Sequence, residues 1–269
     1  MLILLPPSEG KTPATEGAPV DTASLWLPAL APARSRVLNR LVAMCKRSSA
    51  RSIADSLAVL GLSEGQRGEI GRNAGLLTAP AAPAAGVYTG VLYEALEPGS
   101  LAPEARAWLD RTAVVFSGLW GVVRLGDRIP AYRCSVGVSL PDPVGGLTAY
   151  WKRELKKALD PAAADGPVLD LRSGAYAAMW APPAETANRT AALRVLHERV
   201  VDGVPKRSVV SHFNKATKGR MVRTLASEAA TPASVDELVT ALRDLKFTVE
   251  EHPAAAGRSR RLDVVVTEL

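Results

Sequence analysis

Three short runs constrain this chain more than anything else in it: Leu2–Leu5, Thr112–Phe116 and Val168–Leu171. Each is too short for a helix and rich in branched or β-branched residues, the composition of a buried strand. Pro6-Pro7 and Ser117-Gly118 stop the first two at once. Val209–Phe213 reads as one more strand of this kind. Between them lie helical patterns. In Arg34–Arg47, Val37, Leu38, Leu41, Val42 and Cys45 recur at spacings of three and four, with Arg36, Arg40 and Arg47 off that face. Ser52–Leu60, Leu147–Leu159 and Ala187–Val201 also read as helices. Ser63-Glu64-Gly65-Gln66 and Ser234-Val235-Asp236-Glu237 have the form of capping boxes, so helices are expected to open at Glu64 and to run through Leu245. Phe247–Glu251 and Leu262–Thr267 alternate and are expected to pair as a hairpin. Strands alternating with helices imply an α/β (α+β-like) fold with a mixed or parallel sheet. We expect a single compact domain over residues 1–269, with residues 52–72 as a helical insertion.

Charge narrows the class of partner. Lys plus Arg is 33 against 27 Asp plus Glu, an excess that permits an anionic partner without requiring one. Its distribution says more. No acid occurs between Thr22 and Ala54, where Arg34, Arg36, Arg40, Lys46, Arg47 and Arg51 fall. None occurs between Gly203 and Ser227, where Lys206, Arg207, Lys215, Lys218, Arg220 and Arg223 fall. Such blocks form either a basic cleft or solvated helix faces. Cys45 and Cys134 are far apart, and the three histidines stand at no ligand spacing, so no metal site and no cofactor are expected. The N-terminus lacks the basic region of a signal peptide, and no stretch approaches ~18 apolar residues, so a cytoplasmic protein is expected.

The chemistry-bearing residues sit just past the strands. Ser8-Glu9-Gly10-Lys11-Thr12 resembles the second half of a phosphate-binding loop, but Leu5 stands where the first glycine is required and Pro13 blocks the following helix. A Ser/Lys loop at a strand end still suits an anion, because ligands gather outside strand carboxyl ends in open α/β sheets. Ser117-Gly118-Leu119-Trp120-Gly121 through Pro130-Ala131-Tyr132-Arg133 offers Ser117, Arg124 and Arg133 as phosphate or carboxylate contacts. The competing reading makes Trp120 and Tyr132 core and pairs the arginines with Asp127 and Asp142. His212, Lys215 and Lys218 follow the fourth expected strand. If the site is catalytic, Lys11, Tyr132, His212 and Lys215 are the candidate groups. Leu60-Gly61-Leu62 between short helices has the turn of a helix-hairpin-helix element. Arg47, Arg51, Gly61 and Ser63 are there the candidate contacts to DNA phosphates, although Glu64 sits where a phosphate would approach.

Four of these segments together resemble the YaaA-like peroxide stress family, also called UPF0246. The blocks are Leu4-Leu5-Pro6-Pro7-Ser8-Glu9-Gly10-Lys11, Val87-Tyr88-Thr89-Gly90, Ser117–Gly121 with Pro130–Arg133, and His212–Met221. Trp120 replaces the family's tyrosine, and Lys215-Ala216-Thr217-Lys218 replaces its Lys-Ala-Arg. The resemblance implies a single α/β domain with a basic cleft, a helix-hairpin-helix element, DNA binding and a role in oxidative stress. Two functions are therefore expected to compete. One is DNA binding in the peroxide response. The other is an enzyme acting on a nucleotide-like or phosphorylated small molecule held by the Ser8/Lys11, Arg124/Arg133 and His212/Lys215 loops.

Overall fold

A computed structural model describes residues 1–163 and 165–267. The eight strands of the main sheet are β1 (Leu2–Leu5), β2 (Ala113–Ser117), β3 (Gly121–Arg124), β4 (Val168–Asp170), β5 (Thr190–Val201), β6 (Val204–Ser208), β7 (Thr248–His252) and β8 (Arg260–Val266). The sheet order is β7-β8-β5-β4-β1-β2-β3, and β6 pairs with β5. β2, β1, β4, β5 and β8 run parallel, while β3, β6 and β7 are antiparallel to their partners. Strands β1 and β2 are buried on both faces, which accounts for their unbroken apolar sequences. Burying each leucine of β1 stabilises the fold by about 1.5–3 kcal/mol.

The principal helices are α1 (Ala31–Cys45), α2 (Ala50–Leu60), α3 (Gly68–Ala74), α4 (Val91–Leu96), α5 (Pro103–Thr112), α6 (Leu147–Ala162), α7 (Ser211–Ser227) and α8 (Val235–Asp244). The stripe read in α1 is its buried face: Val37, Leu38, Leu41, Val42 and Cys45 all lie in the core. Ser49 and Ser234 cap α2 and α8 through their side chains. One continuous apolar cluster joins β1, β2, α1, α6, α7 and α8. The mixed α/β architecture and the β7–β8 hairpin agree with the sequence reading.

Two elements do not. Ala187–Val201 was expected to be helical, but Thr190–Val201 is β5. Its leucines and alanines suggested a helix. The stronger signal is the alternation of buried Ala191, Leu193, Val195 and His197, which fits a strand paired with β4 on one side and β8 on the other. Val209–Phe213 was expected to be a strand. Val209 and Val210 are instead connector residues, and α7 begins at Ser211. Only two residues there are β-branched, and the segment Asn214–Arg223 that follows favours a helix.

Glycine 219 shows why α7 sits where it does. A Cβ there would lie 2.2 Å from the Leu92 carbonyl oxygen and 2.9 Å from the Ala95 Cβ. Only glycine lets α7 approach α4 this closely. That contact fixes the direction in which α7 presents its first two turns.

Candidate functional site

Strand β1 is the point where the sheet changes direction. The chain passes from β1 to β2 on one side and later returns to place β4 on the other. In sheets of this kind the crevice outside the strand carboxyl ends at such a point is the expected ligand site. A cleft of about 790 Å³ opens there. Its walls are the loop Pro6–Gly10 after β1, the loop Leu171–Gly174 after β4, the segment Thr89–Tyr93, Leu193 and Arg194 of β5, Val209, and Asn214, Lys215 and Lys218 of α7. The volume lies in the range of small-molecule sites. A more open hollow of about 580 Å³ beside Asn188 and His252 lies apart from these walls.

The carbonyl groups of the first loop are drawn inward. The Lys11 ammonium donates to the Ser8 carbonyl at 2.7 Å and more weakly to that of Glu9 at 3.4 Å. Arg133 Nη1 also donates to the Glu9 carbonyl, at 3.3 Å. The Ser8 hydroxyl donates to Gly10 O at 2.6 Å and accepts from Thr89 N at 3.1 Å. Among the described residues the amides of Ser8, Glu9 and Gly10 have no acceptor. A loop with engaged carbonyls and unengaged N–H groups is suited to an anion.

Lys11 itself does not line the cleft. Its ammonium lies 4.3 Å from the centroid of the Tyr132 ring and 5.5 Å from that of Tyr88. Burial pushes its pKa down from 10.5 to about 8, with Glu9 opposing and Arg133 assisting. Beneath it runs a chain of hydroxyl groups. Ser117 Oγ accepts from Leu119 N at 3.2 Å and Trp120 N at 2.9 Å, which uses both its lone pairs. Its proton therefore goes to the Tyr132 hydroxyl at 2.6 Å, and that of Tyr132 to Tyr88 at 3.0 Å. Burial raises the pKa of Tyr88 to about 12 and that of Tyr132 well above the ordinary phenol range. Ser117 and Tyr132 thus support the loop from below and do not line the cleft.

The opposite wall holds the free charge. Lys218 is 8% exposed. Among the described residues its ammonium has one hydrogen-bond partner, Leu171 O at 3.0 Å, and no carboxylate within ion-pairing distance. Desolvation lowers its pKa, and nearby Asp170 opposes this. The Asp170 carboxylate is held by Arg172 at 2.6 Å, whose guanidinium also packs 4.3 Å from the centroid of the Phe116 ring. Arg194 is likewise neutralised by a bidentate pairing with buried Asp263, at 2.9 and 2.7 Å. Lys215, exposed on the same wall as Lys218, adds a second cation. Four residues before Lys218, the Asn214 side-chain oxygen is buried without a partner among the described residues.

The structure therefore brings Ser8, Lys215 and Lys218 to one cleft, with Lys11 and Arg133 behind its loop. Arg133 pairs with Glu9 at 3.3 Å. Arg124 lies elsewhere. It donates to the Asp110 and Arg111 carbonyls, both at 3.0 Å, and stacks on Trp26 at 4.8 Å. His212 is exposed outside the cleft lining, its ring edge-on to Phe213. Of the four candidate catalytic groups only Lys215 lines the cleft. Arg172, Arg194 and Asn214 were missed as site residues. Arg172 could have been found from its place just past β4. Arg194 could not, because its segment read as a helix. No group of three or more potential ligand residues able to hold a metal ion occurs among the described residues. No described helix is long and apolar enough to cross a membrane.

The hairpin expected at residues 52–72 consists of α2, a turn at Gly61 in the left-handed region (φ 63°), a short 3-10 turn and α3. Gly61 N and Leu62 N donate to Ala58 O and Leu57 O, and Ser63 N donates to the Gln66 side chain. These N–H groups are engaged within the hairpin itself. Arg47, Arg51, Gly61 and Ser63 are exposed, and Lys46, Arg47 and Arg67 border an open hollow of about 520 Å³.

Fold and cleft together define a mixed-sheet α/β protein with a strand-end cleft that Lys215 and Lys218 line. The whole-chain comparisons are specific. Residues 1–252 match the family described as Peroxide stress protein YaaA. A UPF0246 protein of Streptomyces coelicolor is 54% identical over 100% of both chains, and one of Corynebacterium efficiens is 41% identical over 99% of this chain and 100% of its own. An uncharacterized protein of Campylobacter jejuni is 27% identical over 81% of this chain and 82% of its own. The chain belongs to the peroxide stress YaaA (UPF0246) family.

Proposed function

We propose that this member of the peroxide stress family binds a phosphate-bearing small molecule in the cleft between the Ser8–Gly10 loop and α7. The observation that carries the reading is Lys218. A buried ammonium is costly unless paired, and among the described residues Lys218 has only the Leu171 carbonyl, whereas the buried Arg172 beside it is paired with Asp170. An anion between Lys218, Lys215 and the loop amides supplies the missing charge. Calorimetric titration with inorganic phosphate and pyrophosphate tests it. Binding that weakens with salt and disappears in Lys218→Met supports the reading. Absence of binding by the unaltered chain at low salt refutes it.

A second reading is DNA binding by the α2–α3 hairpin. It is favoured by Lys46 and Arg47 beside an open hollow and by exposed Arg51. It is weakened by the internal use of the Gly61, Leu62 and Ser63 amides. Binding to a duplex should then fall steeply with salt and weaken in the Arg47→Ala, Arg51→Ala double variant. A salt series in which that variant matches the unaltered chain excludes the hairpin as the contact.

A further inference from the structure

The cleft also presents accessible apolar surface, and a bare phosphate leaves that surface wet. Pro6-Pro7 lines it directly before the unengaged amides of Ser8–Gly10. Proline has no N–H to offer a ligand. The Pro6 carbonyl accepts from the Tyr93 hydroxyl at 2.7 Å, so this pair turns its polar atoms to each other. Pro6, Pro7 and Val91 each keep part of their surface exposed. Val209, in the connector before α7, lines the cleft and is 54% exposed. A single exposed valine is ordinary, but this one borders the same cleft as three other partly exposed apolar residues. Arg172, whose guanidinium is buried, is already engaged by the Asp170 carboxylate and the Tyr176 and Trp180 carbonyls. Each apolar wall also adjoins an anion-binding element. Pro6-Pro7 runs into the loop amides, and Val209 stands two residues before the helix that carries Lys215 and Lys218. A volume of about 790 Å³ leaves room for a carbon body beside the anion.

We propose that the cleft takes an amphipathic phosphomonoester, the phosphate ester of an apolar alcohol or phenol. Its phosphate meets the loop amides and the lysines of α7, and its apolar body lies between Pro6-Pro7 and Val209. This rests on the phosphate-binding reading above and adds the class of ester. Placing a carbon body there removes apolar area from water on both partners, which is favourable in proportion to that area. A polyhydroxylated body of similar size gains little from the same walls, because its hydroxyl groups lose water there. Val209 is then the residue that separates apolar esters from inorganic phosphate. An aryl group and an alkyl chain both satisfy these contacts.

The test is calorimetric titration of the full chain with inorganic phosphate, glycerol 3-phosphate, phenyl phosphate and hexyl phosphate at one salt concentration. The unaltered chain should bind phenyl or hexyl phosphate about ten-fold or more tightly than inorganic phosphate. Glycerol 3-phosphate should stay within about three-fold of inorganic phosphate. Val209→Asn should cut the preference for the apolar ester at least about three-fold, and Val209→Leu should keep it. Val209 is exposed in a connector, so neither variant disturbs the core. Tighter phenyl than hexyl phosphate identifies an aryl ester as the source, and the reverse identifies an alkyl chain. Equal affinity for all four ligands, glycerol 3-phosphate as tight as the apolar esters, or a preference unchanged in Val209→Asn overturns the proposal but leaves the phosphate site standing. No binding of any of the four overturns both.

Discussion

Lys11 is the group whose removal reports most directly on how the loop is built. Its pKa falls from 10.5 to about 8 because folding buries it. At 1.36 kcal/mol per pH unit this corresponds to about 3 kcal/mol. The direction is opposite to that of a lysine gaining a salt bridge. Below pH 8 the folded and unfolded chains both hold the proton, and the folded chain bears the full cost of a buried charge. Between pH 8 and 10.5 the unfolded chain keeps the proton while the folded chain has lost it, so stability rises with pH. The gain is complete above 10.5. Lys11→Met removes this rise. At neutral pH the variant also leaves the Ser8 carbonyl without its donor, at about 1–3 kcal/mol if it remains dry, while Arg133 still donates to the Glu9 carbonyl. Its net effect at pH 7 is therefore small, and the slope is the informative quantity. Urea unfolding at pH 7.5, 9 and 10.5 should show the unaltered chain gaining about 3 kcal/mol relative to Lys11→Met across that window. For a chain of this size the gain is roughly 6–12 °C in midpoint temperature. Lys218 contributes a rise of the same sign, and the buried tyrosines a fall above about pH 10, but both are common to the two proteins and cancel. Parallel pH profiles for the two chains would refute the inward, desolvated placement of Lys11.

Other consequences follow from packing and burial. Arg34 is fully buried and donates to five carbonyls, including Trp26 at 2.6 Å and Val122 at 2.8 Å, so Arg34→Met should cost about 3 kcal/mol or more in urea unfolding. Gly219→Ala drives a methyl group into the Leu92 carbonyl and should cost about 3 kcal/mol, whereas Gly65→Ala, in an open turn, should stay within about 1 kcal/mol. Cys45 and Cys134 are buried, and desolvation raises their pKa values to about 11 and about 12. Neither should react with a thiol reagent or with millimolar peroxide in the native chain, and both should react after denaturation. A native thiol titration that finds even one fast-reacting group contradicts this.

How much was legible follows from which signals are local. Strands β1 and β2 were readable because they are buried on both faces and so carry unbroken apolar runs. β5 was not, because its leucines and alanines suit either state and only its two neighbouring strands decide between them. The basic blocks were visible, but their meaning was not. Arg34 belongs to the first block and sits wholly inside the molecule, while Arg207 of the second pairs with Glu198 and Glu250. Sign and spacing cannot reveal a carboxylate brought from a distant strand. For the same reason Lys218, which has no carboxylate partner among the described residues, could not be told in advance from the paired Arg172 and Arg194.

The segments Ser117–Gly121 and Pro130–Arg133, which carried the resemblance to the family, pack behind the loop that follows β1. Each of their distinctive residues has a steric or hydrogen-bonding reason. Ser117 satisfies the amides of Leu119 and Trp120. A Cβ on Gly118 would lie 2.5 Å from Cys134 O, and Gly121, at φ 73°, lies against Trp151. Tyr132 carries the Lys11 ammonium on its ring face, and Arg133 is fixed by a two-way backbone bond to Asn73, at 2.9 and 2.7 Å. Lys11 and Arg133 in turn tether the carbonyls of Ser8 and Glu9. A substitution in these segments therefore acts on a ligand through the loop. Tyr132→Phe removes the hydroxyl link but keeps the ring beneath Lys11. It should leave phosphate affinity within about two-fold, while Tyr132→Ala, which removes the platform itself, should weaken it at least ten-fold. Equal losses in the two variants would instead make the Tyr132 hydroxyl a direct participant, contrary to its burial beneath Lys11.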